Sequence, residues 1–355
     1  LELVWFLRNL KAKGSRGRSF LAGDRPIGIT GKFAWHQMDI QEKAAMKEKI
    51  KLLMAVDGSE QSLNAVRYIA GTFPSRRTEV VLFHVRADVP EAFLDLRKDA
   101  AFRSVVLSTS AWENQTRKNL DAFMERSRDI LLTSGFVEEK VRIRIQDRKQ
   151  GIARDILAES KNAYDAAVFG RVGVSKVKDF LLGSVVYKLV GKMPHIPIVV
   201  VGGDPAPRKV LMGYDASEGA KRAISSLAAL MDPAGCSVTL CHITRHLNIH
   251  MGGERVFSPL NERHWLDEAN SEMIPYIREA KNQLVAAGFA TADIGVEILD
   301  EEVSRASRLV KNAKAGGMGT IVLGRRGLSV VEEFLLGRVS TKTLQMADTQ
   351  AVWIC

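Results

Sequence analysis

Two glycine clusters carry the chemistry this chain can offer. Gly170-Arg171-Val172-Gly173 is followed, after nine residues, by Gly183-Ser184. Gly324-Arg325-Arg326-Gly327 is followed at the same spacing by Gly337-Arg338, and the copies lie 154 positions apart. Each follows a short apolar run, Ala166 to Phe169 and Thr320 to Leu323, and each second glycine opens a segment with helical periodicity. A strand that ends in a glycine loop and leads into a helix start can hold a phosphate. Glycine lets the backbone come close to the anion, and the free N–H groups of the helix start point at it.

The elements that must position these loops also occur twice. Lys51 to Ser59 reads KLLMAVDGS and Lys209 to Ser217 reads KVLMGYDAS; Val80 to Val85 (VVLFHV) matches Val238 to Ile243 (VTLCHI); Pro197 to Gly202 (PIVVVG) matches Ala351 to Cys355 (AVWIC). So long a period means two whole domains rather than a solenoid, and 355 residues suit two domains of about 150 each. Apolar, β-branched runs predict strands at 50–56, 79–85, 141–145, 166–169 and 197–201, then at 210–214, 238–243, 295–299, 320–323 and 351–354. Helical periodicity fills 59–73, much of 111–133, 151–162 and 185–193, then 217–231, 264–287, 303–314 and 339–347. Continuous apolar strands alternating with helices predict an α/β fold of two tandem doubly wound domains, each a parallel sheet with helices on both faces. Ligands of such sheets bind beyond the carboxyl ends of the strands, at the topological switch point. Asp57 and Asp215 end the first strand of each copy and Gly170 and Gly324 the fourth, so all four fall on that rim.

These readings divide the chain into an extension over 1–46, a first domain over 47–203 and a second over 208–355. Gly202 to Pro207, rich in glycine and proline, joins the domains and is short enough to hold them side by side. The extension is basic: residues 1–37 hold seven Lys/Arg and two Asp/Glu, half of the net charge of +10. Its composition predicts disorder. A chain opening on Leu1 suggests an overextended or fragmentary reading frame, with Met38 or Met46 as a more natural start. The remaining charge is too diffuse to argue for nucleic acid. No apolar run reaches 18 residues, so no membrane insertion is expected. Cys236, Cys241 and Cys355 form no CxxC pair, as in a reduced, cytoplasmic protein.

A first strand ending in Asp, a second ending in His-Val or His-Ile, and G-x2-G-x9-G-[S/T] after the fourth together resemble the universal stress protein family, over residues 49–355. The duplication resembles the family's two-domain members. The resemblance implies five parallel strands per domain and adenine-nucleotide binding, with ATP, alone or with Mg, as the cofactor. It implies that Asp57 and Val85 face the nucleoside, while Gly170, Gly173, Gly183, Ser184 and the Val185 amide face ribose and phosphates. The second-domain positions are Asp215, Ile243, Gly324, Gly327, Gly337 and Arg338. It further implies that the last strand of each half offers an edge for pairing, giving an intrachain pseudo-dimer and leaving room for a homodimer. The copies depart from the pattern in two places. Val186 stands where a second small hydroxyl is common, and Arg338 replaces the hydroxyl after Gly337, although Ser340 occupies the later position.

The residues also admit a structural reading, in which Ser184 caps the helix starting near Val185 and the glycines only tighten turns. Arg325 and Arg326 read as solvated loop arginines, with Arg338 either pairing a phosphate or filling its space. No G-x4-G-K-[S/T] and no HExxH occurs, so a stress-response sensor that binds ATP with slow or no turnover is expected. The alternatives are a slow ATPase or self-phosphorylating enzyme and a nucleotide-independent scaffold. His246, His250, His264 and Glu254 read as solvated loop residues rather than a zinc site. His84 and His242 read as strand caps or the edge of an adenine site. The aromatics Phe93, Phe102 and Trp112 read as packing residues.

Overall fold

A computed structural model describes residues 48–86, 103–172, 182–244, 250–251, 254–255, 259–300, 304–326 and 336–355. The N-terminal extension, Gly173, Gly327, His246, Phe93 and Phe102 lie outside the described residues.

The first half runs β1 (Ile50–Ala55), α1 (Glu60–Thr72), β2 (Thr78–Arg86), α2 (Arg103–Thr133), β3 (Val141–Asp147), α3 (Ile152–Glu159), β4 (Ala166–Gly170), α4 (Ser184–Lys192) and β5 (Ile198–Val201). The second runs β6 (Lys209–Gly213), α5 (Glu218–Leu230), β7 (Ser237–Thr244), the short pair β8 (His250–Met251) and β9 (Glu254–Arg255), α6 (Pro259–Ala286), β10 (Ile294–Asp300), α7 (Arg305–Ala315), β11 (Thr320–Leu323), α8 (Arg338–Met346) and β12 (Ala351–Ile354). Trp112 falls within α2.

Within each half the five strands are parallel, in the order β3-β2-β1-β4-β5 and β10-β7-β6-β11-β12. The direction of winding reverses between β1 and β4, and between β6 and β11. The halves then join edge to edge. β5 pairs with β12 antiparallel, Ile198 opposite Ile354 and Val201 opposite Ala351, giving one ten-stranded sheet. The last strands thus use the edges that each half would otherwise expose.

Alternation along the strands divides the core between the two faces of this sheet. One face buries Leu52, Met54, Val80, Leu82, Val199, Val201, Met212, Leu240, Val322 and Trp353 under α1, α2, α5 and α6. The other buries Leu53, Val81, Phe83, Phe169, Ile198, Val200, Leu211, Ile321, Val352 and Ile354 under α3, α4, α7 and α8. Each layer draws on both halves. At the seam Trp353 stacks on Phe73 at 5.4 Å between ring centroids, and its indole N–H donates to Tyr68 Oη at 2.8 Å. Tyr68 Oη also bonds Thr320 Oγ1 at 2.8 Å. Burial pushes the Tyr68 phenol up to about 12, so it stays neutral.

The connector is packed rather than free. A Cβ on Gly202 would meet the Asp348 carbonyl at 2.4 Å, one on Gly319 the Ala206 carbonyl at 2.0 Å, and one on Gly71 the Pro207 ring at 2.7 Å.

Candidate functional site

Asp57 lies just past β1, and β1 and β4 run in register to Ala55 opposite Phe169. Two residues on, Asp57 and Arg171 therefore flank the switch point. Asp57 Oδ1 accepts from the Ser59 N–H at 3.1 Å and the Ser62 hydroxyl at 2.5 Å. In the second half Asp215 Oδ1 accepts from the Ser217 N–H and hydroxyl, at 3.1 and 2.6 Å. The turn needs a left-handed residue after the aspartate. Gly58 serves at φ +82°, and Ala216 takes the same place at φ +57°.

Val85 sits inside β2 with its side chain buried, but its main chain is turned to the rim. Phe83 O accepts from Val56 N–H, so the Phe83 carbonyl faces β1; Arg86 O accepts from Arg148 N–H, so that carbonyl faces β3. Alternation gives Val85 the direction of Phe83. The β1–β2 ladder stops at Ala55 opposite Phe83, so the Val85 peptide points past the end of β1. Ile243 repeats this: Cys241 O accepts from Tyr214 N–H, and the β6–β7 ladder stops at Gly213 opposite Cys241. The two strand-end histidines cap the neighbouring strand. His84 Nδ1 bonds Val56 O at 2.8 Å, and His242 Nδ1 bonds Tyr214 O at 2.9 Å.

The first glycine of each motif serves packing. A Cβ on Gly170 would lie 2.9 Å from backbone atoms of Gln61 and Ser62, and one on Gly324 2.4 Å from the Gly219 backbone. These glycines let β4 and β11 end against the first turns of α1 and α5. The loops differ in the next contact. In the first half Gln61 Oε1 accepts the Val172 N–H at 2.8 Å. In the second, Gly219 stands where Gln61 stood, and a Cβ there would meet Arg326 O at 2.0 Å.

Two expectations are corrected. Ser184 does not cap its helix. α4 begins at Ser184 with Gly183 as N-cap and has no side-chain cap bond, and the Ser184 side chain is exposed. Arg325 is not solvated. It is 7% exposed, and Arg171, its counterpart, is 3% exposed. Ser340, the hydroxyl two places beyond Arg338, donates to Gly324 O at 2.8 Å.

Among the helix starts whose caps are described, two stand apart. Ser59, Ser217 and Ser304 cap α1, α5 and α7 through their hydroxyls. α3 has glycine as N-cap, but the Asp155 carboxylate accepts the Lys149, Gln150 and Gly151 N–H groups at 2.8–3.4 Å. α4 and α8 have Gly183 and Gly337, no side-chain cap and no acid in the first turn. Neither glycine needs its conformational freedom, with φ, ψ of −59°, 141° and −69°, 155°. Tyr187 N–H is the first in α4 to bond backward, to Gly183 O. Among the described residues the Ser184, Val185 and Val186 N–H groups thus have no acceptor, as at the start of an uncapped helix.

The universal stress protein family model matches residues 50–202 and again 207–354. The chain belongs to the universal stress protein family. A universal stress protein of Mycolicibacterium smegmatis is 24% identical over 302 residues, 84% of this chain and 94% of that protein. Universal stress protein YxiE of Bacillus subtilis is 24% identical over 145 residues, 39% of this chain and 93% of its own length. Among solved structures, a universal stress protein from Archaeoglobus fulgidus superposes with a TM-score of 0.55 at 17% identity, covering 86% of this chain and 97% of that one. That likeness supports the fold of this universal stress protein, tandem halves included.

Among the described residues no three His, Cys, Asp or Glu side chains gather as a metal site, and no helix is long and apolar enough to cross a membrane. β8 and β9 set His250 opposite Arg255 and Met251 opposite Glu254. All three cysteines are free thiols, and burial pushes Cys236 and Cys241 up to about 12.

Proposed function

We propose that this universal stress protein binds an adenine nucleotide, ATP in the first instance, at the rim of its first half and acts as a sensor rather than a catalyst. The observation that carries the reading is the uncapped start of α4, the helix that follows β4 at the switch point, where α1, the helix that follows β1, is capped by Ser59. Three N–H groups and the positive end of a helix dipole suit a phosphate. In this reading Gly183, Ser184 and the Val185 amide hold phosphate, while Asp57 and the outward-facing Val85 peptide meet the nucleoside. Gly170 supports the loop from beneath, and Gly173 belongs to the same loop. Mg would enter with the nucleotide, with Asp57 as a candidate oxygen ligand, and would supply charge neutralisation for the phosphates. A cytoplasmic site of action, the division at 47–203 and 208–355 and assembly of two chains belong to the proposal. Asp215, Ile243, Gly324, Gly327, Gly337 and Arg338 form the second candidate site, where Arg338 decides whether a phosphate is paired or displaced.

A scaffold reading has its own support: Gly170, Gly324, Arg171 and Arg325 already have structural partners. Calorimetric titration of the full chain with ATP and Mg, beside Gly183→Val, separates the readings. Binding that the variant loses supports the sensor. No heat and no thermal stabilisation at millimolar ATP would leave the scaffold.

A further inference from the structure

Arg171 and Arg325 hold the same place in the two motifs, directly after the first glycine. Each reaches across the seam. The Arg325 guanidinium donates to Val190 O at 2.6 Å and Met193 O at 2.8 Å, at the end of α4. Arg171 donates to Gln345 O at 2.9 Å and Ala347 O at 2.7 Å, at the end of α8. The last carbonyls of a helix lack intrahelical donors and form the negative end of its dipole, so a forked cation is their matched partner.

The main chains of the same arginines hold the opposite helix ends. Gly183 N–H donates to Arg171 O and Gly337 N–H to Arg325 O, each at 2.8 Å. Hence Arg171 fixes the start of α4 and the end of α8, while Arg325 fixes the start of α8 and the end of α4. Four attachments close a ring through both glycine motifs. α4 and α8 have nine residues each, or about 13 Å, so a shift at one end of either helix is carried to the other.

We propose that Arg171 and Arg325 are positioning residues that each serve both glycine sites, so that the arginine of the second motif sets affinity at the first, and the reverse. The ligand in this statement rests on the nucleotide reading; the ring does not. Coupling of this kind is reciprocal between the sites.

The test uses the full chain and nuclear magnetic resonance. Titration with Mg-ATP is followed at the Ser184 and Val185 amides, which lie in the first site. Arg325→Gln should weaken binding there about fivefold or more, within the usual range of intersite coupling. Arg325→Lys, which keeps the charge and a donor, should give a smaller change in the same direction, and it stands in if the glutamine variant does not fold. Unchanged affinity at the first site would overturn the proposal. Hydrogen exchange of the ligand-free chain tests the ring by itself. The Gly183 and Tyr187 amides should exchange faster in Arg325→Gln, and the Gly337 and Thr341 amides faster in Arg171→Gln. Acceleration confined to the helix end that lost its arginine, or spread evenly over the sheet, would also overturn it. A wild-type chain that binds no ATP sinks the nucleotide reading while the exchange result still decides the ring.

Discussion

Placing a carboxylate at the start of α4, as Ser184→Asp, should move stability and ligand binding in opposite directions. Among the described residues the first turn of α4 has three N–H groups without an acceptor, no side-chain cap and no acid. An added anion there completes the helix and should stabilise the chain by about 0.3–1 kcal/mol, a rise in melting temperature of about 1–2 °C for a unit of this size. The same carboxylate occupies the ground a phosphate would need. Loss of the serine bond to a charged oxygen costs about 1.5–3 kcal/mol. Ser184 is exposed, so repulsion between the two anions at about 4 Å is close to its value in water, about 1 kcal/mol. Together these weaken ATP by roughly two to three powers of ten. Thermal denaturation and calorimetric titration on one preparation measure both effects. A variant that binds ATP as well as the wild type refutes the phosphate assignment. One that melts earlier refutes the premise, since it would mean the helix start is already satisfied.

Two further substitutions probe the seam and the Asp155 carboxylate, which takes the place of a side-chain cap at α3. Tyr68→Phe leaves the buried Trp353 N–H without its acceptor, while Thr320 keeps its bond to Pro207 O; denaturant unfolding should show a loss of about 1–3 kcal/mol. Asp155 is pushed up by burial, but the Lys149, Gln150 and Gly151 N–H groups outweigh that and hold it below its ordinary 3.8. A depressed carboxylate stabilises the fold above its unfolded value and loses that contribution as the pH falls through its folded one. Asp155→Asn should therefore lower stability near neutral pH and flatten its decline on the acid side of pH 4; an unchanged acid slope would count against this account.

Much of the fold was legible because strand and helix periods repeat in both copies. The strands expected at 320–323 and 351–354 match in every residue, and most other ends move by one or two. The long helices start earlier than expected, at Arg103 and Pro259. The rim was legible through Asp57, Gly170 and their counterparts. Three features were not. Ser184 reads as a cap by residue type, yet the helix starts one residue early and takes Gly183 instead. The partners of Arg171 lie more than 170 positions away and are main-chain carbonyls, which leave no mark in side-chain patterns. The Val85 direction follows from pairing parity, which needs the register of β2 against both neighbours.

The antiparallel joint between β5 and β12 limits how this molecule can respond to anything it binds. In many two-domain proteins a ligand closes a cleft by swinging one domain on the other. Here such a swing would have to unzip a strand pair in mid-sheet, split two apolar layers and part Trp353 from Tyr68 and Phe73. That cost places the moving parts elsewhere. A bound state must be displayed by the loops and helix ends at the carboxyl edge of each half, against a frame that holds still, and because β5 and β12 run antiparallel those two edges face opposite ways across the one sheet.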